Sequence, residues 1–127
     1  AGILAILKES GLMADVAQFA AEAATDVTLP LYTFLSAGVV NFFVPSGGGQ
    51  WGVQGPIAIQ TAIEAGVPLP KMLMAVSYGD ELTNMLQPFW ALPLLAITGV
   101  RARDIVGYTA IVMLAAGLWM ALWLLVW

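Results

Sequence analysis

The chain has 127 residues, of which 61% are hydrophobic and only 9% are charged, with a mean hydropathy of +0.90. A soluble domain carries about a quarter charged residues, so these side chains could not coat a globular surface, and an integral membrane protein is the class that fits. The net charge of −4 leaves no basic stripe for nucleic acid, and with no His and no Cys this chain can build no zinc site, reactive thiolate, haem attachment, disulfide or Ser-His-Asp triad.

The charged residues divide the sequence into uncharged runs at 27–63, 82–100 and 105–127. With Ala1 at its start, a complete apolar run at its end and length for three or four crossings, the chain reads as the C-terminal piece of a longer membrane protein. Residues 2–24 come first and differ in kind. Leu12, Val16, Phe19, Ala20 and Ala23 recur at helical spacing, while Lys8, Asp15, Gln18 and Glu22 fall on another face. This predicts an amphipathic helix lying at the interface or against other parts of the protein.

The run 27–63 is too long for one span and is interrupted at its middle. Between Pro45 and Pro56, twelve residues include five Gly and two Pro, a density of breakers that no continuous helix survives. The flanking apolar stretches, roughly 30–44 and 56–65, predict two helical legs, the second opening at Pro56 and closing at Gly66. Each would rise only about 15–23 Å, short of the about 30 Å of a hydrocarbon core. A re-entrant helical hairpin over 30–65 satisfies this pattern; a solvated Gly-rich loop between two spans is the plainer alternative. At such a tip Pro45 frees the carbonyl of Asn41. Gly47, Gly48 and Gly49 allow main-chain N–H groups to approach a ligand, and Ser46, Gln50 and Gln54 add neutral polar groups. The chemistry suits a small carboxylate.

A second interruption follows in 71–98. Asp80, Thr83, Asn84 and Gln87 share one helical face. Pro88 releases the carbonyl of Asn84, and Pro93 that of Phe89. A carboxylate beside hydrocarbon faces a cavity, a partner or a cation, so Asp80, Thr83, Asn84 and freed carbonyls form a candidate all-oxygen site for Na⁺ or a place to carry a proton. The alternative is that Asp80 and Glu81 mark an interfacial helix start that the prolines merely kink. The last run, 105–127, is long enough to cross in one piece. Trp119, Trp123 and Trp127 lie on one stripe with Tyr108 near the other end, as interfacial anchors do. Arg101 and Arg103 place the preceding loop on the cytoplasmic side and Trp127 outside, with Lys71 as the single opposing charge.

The segments Asn41–Trp51 running on to Gln54-Gly55-Pro56, and Tyr78-Gly79-Asp80 with Thr83-Asn84 and Gln87–Pro93, resemble the bacterial short-chain fatty acid transporter family. The likeness runs essentially end to end. Members are linked to uptake of acetoacetate, butyrate and related acids, and the family sits in a wider ion transporter superfamily that includes dicarboxylate and citrate carriers. The resemblance implies an all-α membrane fold built of two inverted repeats, each with a re-entrant hairpin and a broken helix. On this chain it implies an outer hairpin at 30–65, a broken helix at 71–98, a last span at 105–127 and the amphipathic segment at 2–24. It also implies a partner half supplied by an absent N-terminal region. The better understood carriers have a Ser-Asn-Thr signature at the hairpin tip, where this chain has Pro45-Ser46-Gly47-Gly48-Gly49, so ligand roles transfer by region only.

The resulting expectation is secondary active transport of short-chain carboxylates across the bacterial cytoplasmic membrane by alternating access. Substrate would be held by Asn41, Ser46, Gly47, Gly48, Gly49, Gln50, Gln54, Asn84 and Gln87, with the acyl chain resting on groups such as Phe42 or Trp51. A coupling ion, H⁺ or Na⁺, would be held by Asp80, Thr83 and Asn84, and Asp80 with Thr83 is the candidate Na⁺ site. No cofactor, no nucleic-acid partner and no enzymatic activity are expected, since neighbouring helical positions point Asp80 and Glu81 apart. A homo-oligomer, an anion channel and a carrier for another small carboxylate such as a dicarboxylate stay open.

Overall fold

The computed structural model describes residues 22–126 without a gap and, ahead of them, residues 6, 9–11, 15, 18 and 19. Most of the amphipathic helix expected over 2–24 therefore lies outside the described residues, as does Trp127. From residue 22 onward every regular element is helical: α1 (Leu29–Phe43), α2 (Gly47–Ala65), α3 (Leu69–Asn84), a 3₁₀ turn (Pro88–Ala91), α4 (Leu92–Thr98) and α5 (Ala102–Val126).

Pro30 lies in the first turn of α1, where its missing N–H breaks no helical bond. One face of α1 buries Phe34, Ala37, Gly38, Val40 and Asn41, while Leu35, Val39 and Phe42 are exposed. The helix stops where Pro45 cannot donate to Asn41, so the N–H of Val44 makes the last helical bond, to the carbonyl of Val40.

The second leg departs from the sequence expectation. It opens at Gly47, not at Pro56, and runs unbroken through both the glycines and the proline to Ala65. Ser46 caps it in an extended conformation, its hydroxyl accepting from the N–H of Gly49 at 3.4 Å. Two features explain why the breakers do not break it. The residue before a proline avoids the helical region because its Cβ meets the ring, and Gly55 has no Cβ. The inward face Gln50, Gln54, Ala58 and Ala62 also recurs every fourth residue and is buried, so tertiary packing overrides weak local propensity. The far end is as expected: Gly66, at φ +67°, donates to the carbonyls of Ala62 and Ile63 and stops the helix. At 19 residues α2 rises about 28 Å, longer than the short leg expected. The 15 residues of α1 rise about 22 Å.

Pairing fixes the topology. Gln50 meets Ala37 and Gln54 meets Ser36, so α2 runs back along α1. Asn41 meets Thr83 and Asn84, and Gly79 lies against Phe34, so α3 runs parallel to α1. The crossing of α1 and α3 is close. A Cβ at Gly79 would strike the carbonyl oxygen of Phe34, the Ala37 methyl and the N–H of Gly38. Small residues that let backbones meet in this way are the means by which helices associate where lipid offers no hydrophobic drive. Leu29, Ala37, Ala58, Ala62, Met72 and Val76 form the core shared by α1, α2 and α3. Phe34, Ala75 and Leu124 form a second cluster that seats α5.

α3 ends at Asn84; Gln87 is extended, and α4 closes at Gly99 with φ +71°. α5 is the one helix among the described residues that is long and apolar enough to cross a membrane. Its 25 residues rise about 37 Å. Leu124 is its single buried residue. Trp119 and Trp123 stack on its exposed side, with ring centres 6.3 Å apart.

Candidate functional site

Because α1 and α3 run parallel, the turn after α1 and the interruption after α3 fall at the same end of the bundle. Asn41 joins them. It is fully buried, and its amide Nδ2 donates to the main-chain oxygen of Asp80 (2.8 Å), to Thr83 Oγ1 (2.8 Å) and to Asn84 Oδ1 (2.9 Å). The Thr83 hydroxyl passes the chain of bonds on to the carbonyl of Gly38 at 3.2 Å. Gln87 Nε2 returns from beyond the break to the main-chain oxygen of Asn41 at 3.4 Å.

The carbonyls that the prolines release are all taken up inside the chain, contrary to the expectation that they stand free for a cation. Asn41 receives Gln87, Asn84 receives the indole N–H of Trp90 at 3.2 Å, and Phe89 receives the N–H of Leu92. Asp80 lies against the tip. A Cβ on Gly47 would stand 3.5 Å from Asp80 Oδ2, so this carboxylate sits beside the positive end of α2.

The structure therefore brings Asn41, Asp80, Thr83, Asn84 and Gln87 into one node, with Ser46 and Gly47 beside it. Gly48 is exposed with open space around it, and Gly49 is half-buried. Gln50 and Gln54 stand apart from that node. Both are buried in the α1–α2 seam, where Gln50 Nε2 donates to the Ala37 carbonyl and to Gln54 Oε1, and Gln54 Nε2 donates to Ser36 Oγ. Three buried side-chain oxygens in the described residues have no hydrogen-bond partner: Asn41 Oδ1, Gln50 Oε1 and Asp80 Oδ1.

Next to the node opens a cleft of about 700 Å³. Pro45, Asn84 and Gln87 supply its tip side, Met85, Phe89 and Trp90 line it from the break, Tyr108, Thr109 and Val112 close it from α5, and Glu81 of α3 also lines it. Phe42 and Trp51, the expected rest for an acyl chain, are not among its walls. Met85, Phe89, Trp90, Tyr108, Thr109 and Val112 are cleft residues that the sequence does not assign to the site, because nothing in a local pattern links Tyr108 or Val112 to a turn some twenty residues earlier. Trp90 carried a signal: an indole two residues after a proline, with a released carbonyl within reach.

The family described as Short chain fatty acid transporter matches residues 1–127. A protein of Escherichia coli (strain K12), provisionally named a short-chain fatty acid transporter, is 46% identical over 117 residues, covering 92% of this chain and 27% of its own length. A protein of Haemophilus influenzae (strain Rd) with the same provisional name is 45% identical over 108 residues, covering 85% of this chain and 24% of its own. The chain thus spans about a quarter of the length of these curated relatives. No solved structure matches it.

Proposed function

Because the chain belongs to the short-chain fatty acid transporter family, we propose that the complete protein moves short-chain carboxylates such as acetoacetate or butyrate across a bacterial cytoplasmic membrane, by secondary active transport with alternating access. One observation carries the reading on this chain: two helix interruptions meet through Asn41 beside a cleft of about 700 Å³. Broken helices that present helix ends and irregular backbone to a shared cavity are the physical basis of substrate binding in secondary transporters.

In this reading α1 and α2 form a re-entrant hairpin and α3 with α4 a broken transmembrane helix. The level of the tip supports it. Pro45 shares the cleft with Tyr108, Thr109 and Val112, which lie six to ten residues into α5, about 9–15 Å along a helix of spanning length. Non-helical backbone at that depth is tolerated where it lines a cavity. The substrate carboxylate is placed at the first-turn N–H groups of Gly47 and Gly48, with Asn84 and Gln87 as polar contacts and Ser46 fixing the turn through the N–H of Gly49. Gln50 and Gln54 act from behind, holding α2 against α1. Asn41 sets the node, and Asp80 with Thr83 and Asn84 serves the coupling ion, H⁺ or Na⁺. The remainder of the complete protein supplies the opposing half of the site.

The test is uptake of labelled butyrate by proteoliposomes holding the complete protein, with and without Na⁺ and proton gradients. Saturable accumulation that follows one gradient supports the reading. Non-saturating flux points instead to a channel, and preference for a dicarboxylate moves the substrate class.

A further inference from the structure

We infer that Glu81 is a specificity-determining residue that keeps dicarboxylates out of the cleft and so restricts it to monocarboxylates; the inference rests on the transport reading and sharpens its substrate class.

Asp80 and Glu81 are neighbours on α3, so their side chains leave the helix about 100° apart. Asp80 lies against the hairpin tip, its Oδ2 close to Gly47. Glu81 instead lines the cleft of about 700 Å³, together with Asn84, Met85, Trp90 and Val112. It is exposed, and the ion pairs among the described residues, Arg101 and Arg103 with Asp104, do not involve it. No other described residue lining the cleft is acidic or basic. The cleft therefore carries one formal charge, and that charge is negative.

The two ends of the cleft treat a carboxylate differently. Glu81 lies three residues before Asn84, about 4.5 Å back along α3 from the tip side. A carboxylate at the N–H groups of Gly47 and Gly48 has the positive end of α2 to offset its charge. A second carboxylate reaching into the cleft from there finds no Lys or Arg on the walls. The Trp90 indole is committed to the Asn84 carbonyl and the Thr109 hydroxyl to the Val106 carbonyl. Asn84 and Gln87 belong to the tip side, so the Tyr108 hydroxyl is what remains.

Against Met85, Phe89 and Val112 such a carboxylate loses water without gaining a donor, an unfavourable exchange. Glu81 adds repulsion to it. A space of about 700 Å³ is little wider than a Debye length, about 8–10 Å at ordinary salt, so the charge is felt across it. Like charges brought together in this way set specificity by rejecting the wrong partner. An apolar tail meets neither penalty. Butyrate offers the cleft what its walls accept, and succinate, with the same number of carbons, offers what they refuse.

The test is competition against labelled butyrate uptake by proteoliposomes holding the complete protein, at slightly alkaline pH, where succinate is a dianion. The competitors are unlabelled butyrate, succinate and monomethyl succinate, which keeps one carboxylate and loses the second charge. In the unaltered protein the ester is expected to compete at least about tenfold better than succinate. Equal competition by the two overturns the inference, because size and not charge would then govern entry. Glu81→Gln keeps the side chain's shape and removes the charge. It is expected to lower the ratio of the succinate to the butyrate inhibition constant at least about tenfold, while Glu81→Asp retains the rejection. Glu81→Ala replaces Glu81→Gln as the uncharged variant should the latter fail to fold. Butyrate uptake with an unchanged ratio in the uncharged variant removes this role of Glu81 and leaves transport standing. Absence of saturable butyrate uptake by the unaltered protein, or its preference for succinate, overturns the substrate reading and the inference with it.

Discussion

Gln87 donates its side-chain amide to the main-chain carbonyl of Asn41 across 3.4 Å, and each end of that bond exists because of a proline. Pro45 strips the Asn41 carbonyl of its helical donor, and Pro88 lies just past Gln87, at the start of the 3₁₀ turn. Replacing Pro45 by Ala returns an N–H to position 45, which can extend α1 by closing the bond to Asn41. Pro45→Ala should leave the unfolding midpoint of the complete protein unchanged or higher while lowering butyrate uptake at least tenfold. Equal uptake by the variant would detach the tip from function.

Gly79 and Gly48 separate packing from binding. At Gly79 any Cβ meets the backbone of α1, whereas around Gly48 a Cβ meets nothing within 4 Å. Gly79→Ala should destabilise the complete protein by about 1–3 kcal/mol, the usual cost of overpacking. Gly48→Val should keep its fold and still raise the KM for butyrate, because its branched side chain stands over the main-chain N–H groups assigned to the carboxylate. Thermal unfolding and uptake kinetics on both variants decide the matter, and a Gly48→Val with normal KM moves the carboxylate elsewhere.

These two glycines also show what the sequence discloses about itself. The stop at Gly66, the interruption of the 71–98 stretch by its prolines and the spanning length of α5 were legible because each is a local signal: a left-handed cap, a ring without an N–H, an uncharged run. The start of α2 at Gly47 was not, since three glycines and Pro56 read as breakers until Gly55 removes the clash and Gln50, Gln54, Ala58 and Ala62 find a partner on α1. Of the site, the shared face of Asp80, Thr83 and Asn84 was visible as helical spacing; Gln87, expected on that same face, lies past the end of α3 on extended backbone and reaches the node from there. That Asn41 would hold this face required knowing that α1 and α3 run parallel, and that follows from Gly79 packing on Phe34, a contact 45 positions apart.

The seam of α1 and α2 carries a bonded pair whose members depend on each other. Gln50→Leu leaves Gln54 Oε1 without its donor, and Gln54→Leu leaves Ser36 Oγ, which still donates to Thr33, short of one bond. Each single variant should cost about 1–3 kcal/mol, the cost of stranding a buried polar atom. The double variant should cost clearly less than the two singles together, since it removes both partners and the unpaired Gln50 oxygen with them. Strict additivity in a denaturation cycle would show that the two amides do not act as a pair.

The cleft sets a last expectation, on chain length. Its apolar wall is held in place at one side by the bond from the Trp90 indole to the Asn84 carbonyl and is closed at the other by Val112 from the spanning helix. A side chain lost from the far wall lengthens the space available to an acyl tail without touching the polar end, where Pro45, Asn84 and Gln87 sit. Val112→Ala should therefore raise the kcat/KM for hexanoate relative to butyrate, by a factor of about 10 for each methylene admitted, within the range a hydrophobic pocket can discriminate. Trp90→Phe should blunt preference in both directions, because without the indole N–H the wall is no longer fixed to the break. Competition between labelled butyrate and unlabelled acids of increasing length measures both effects, and an unchanged order of preference in Val112→Ala would place the acyl chain outside this cleft.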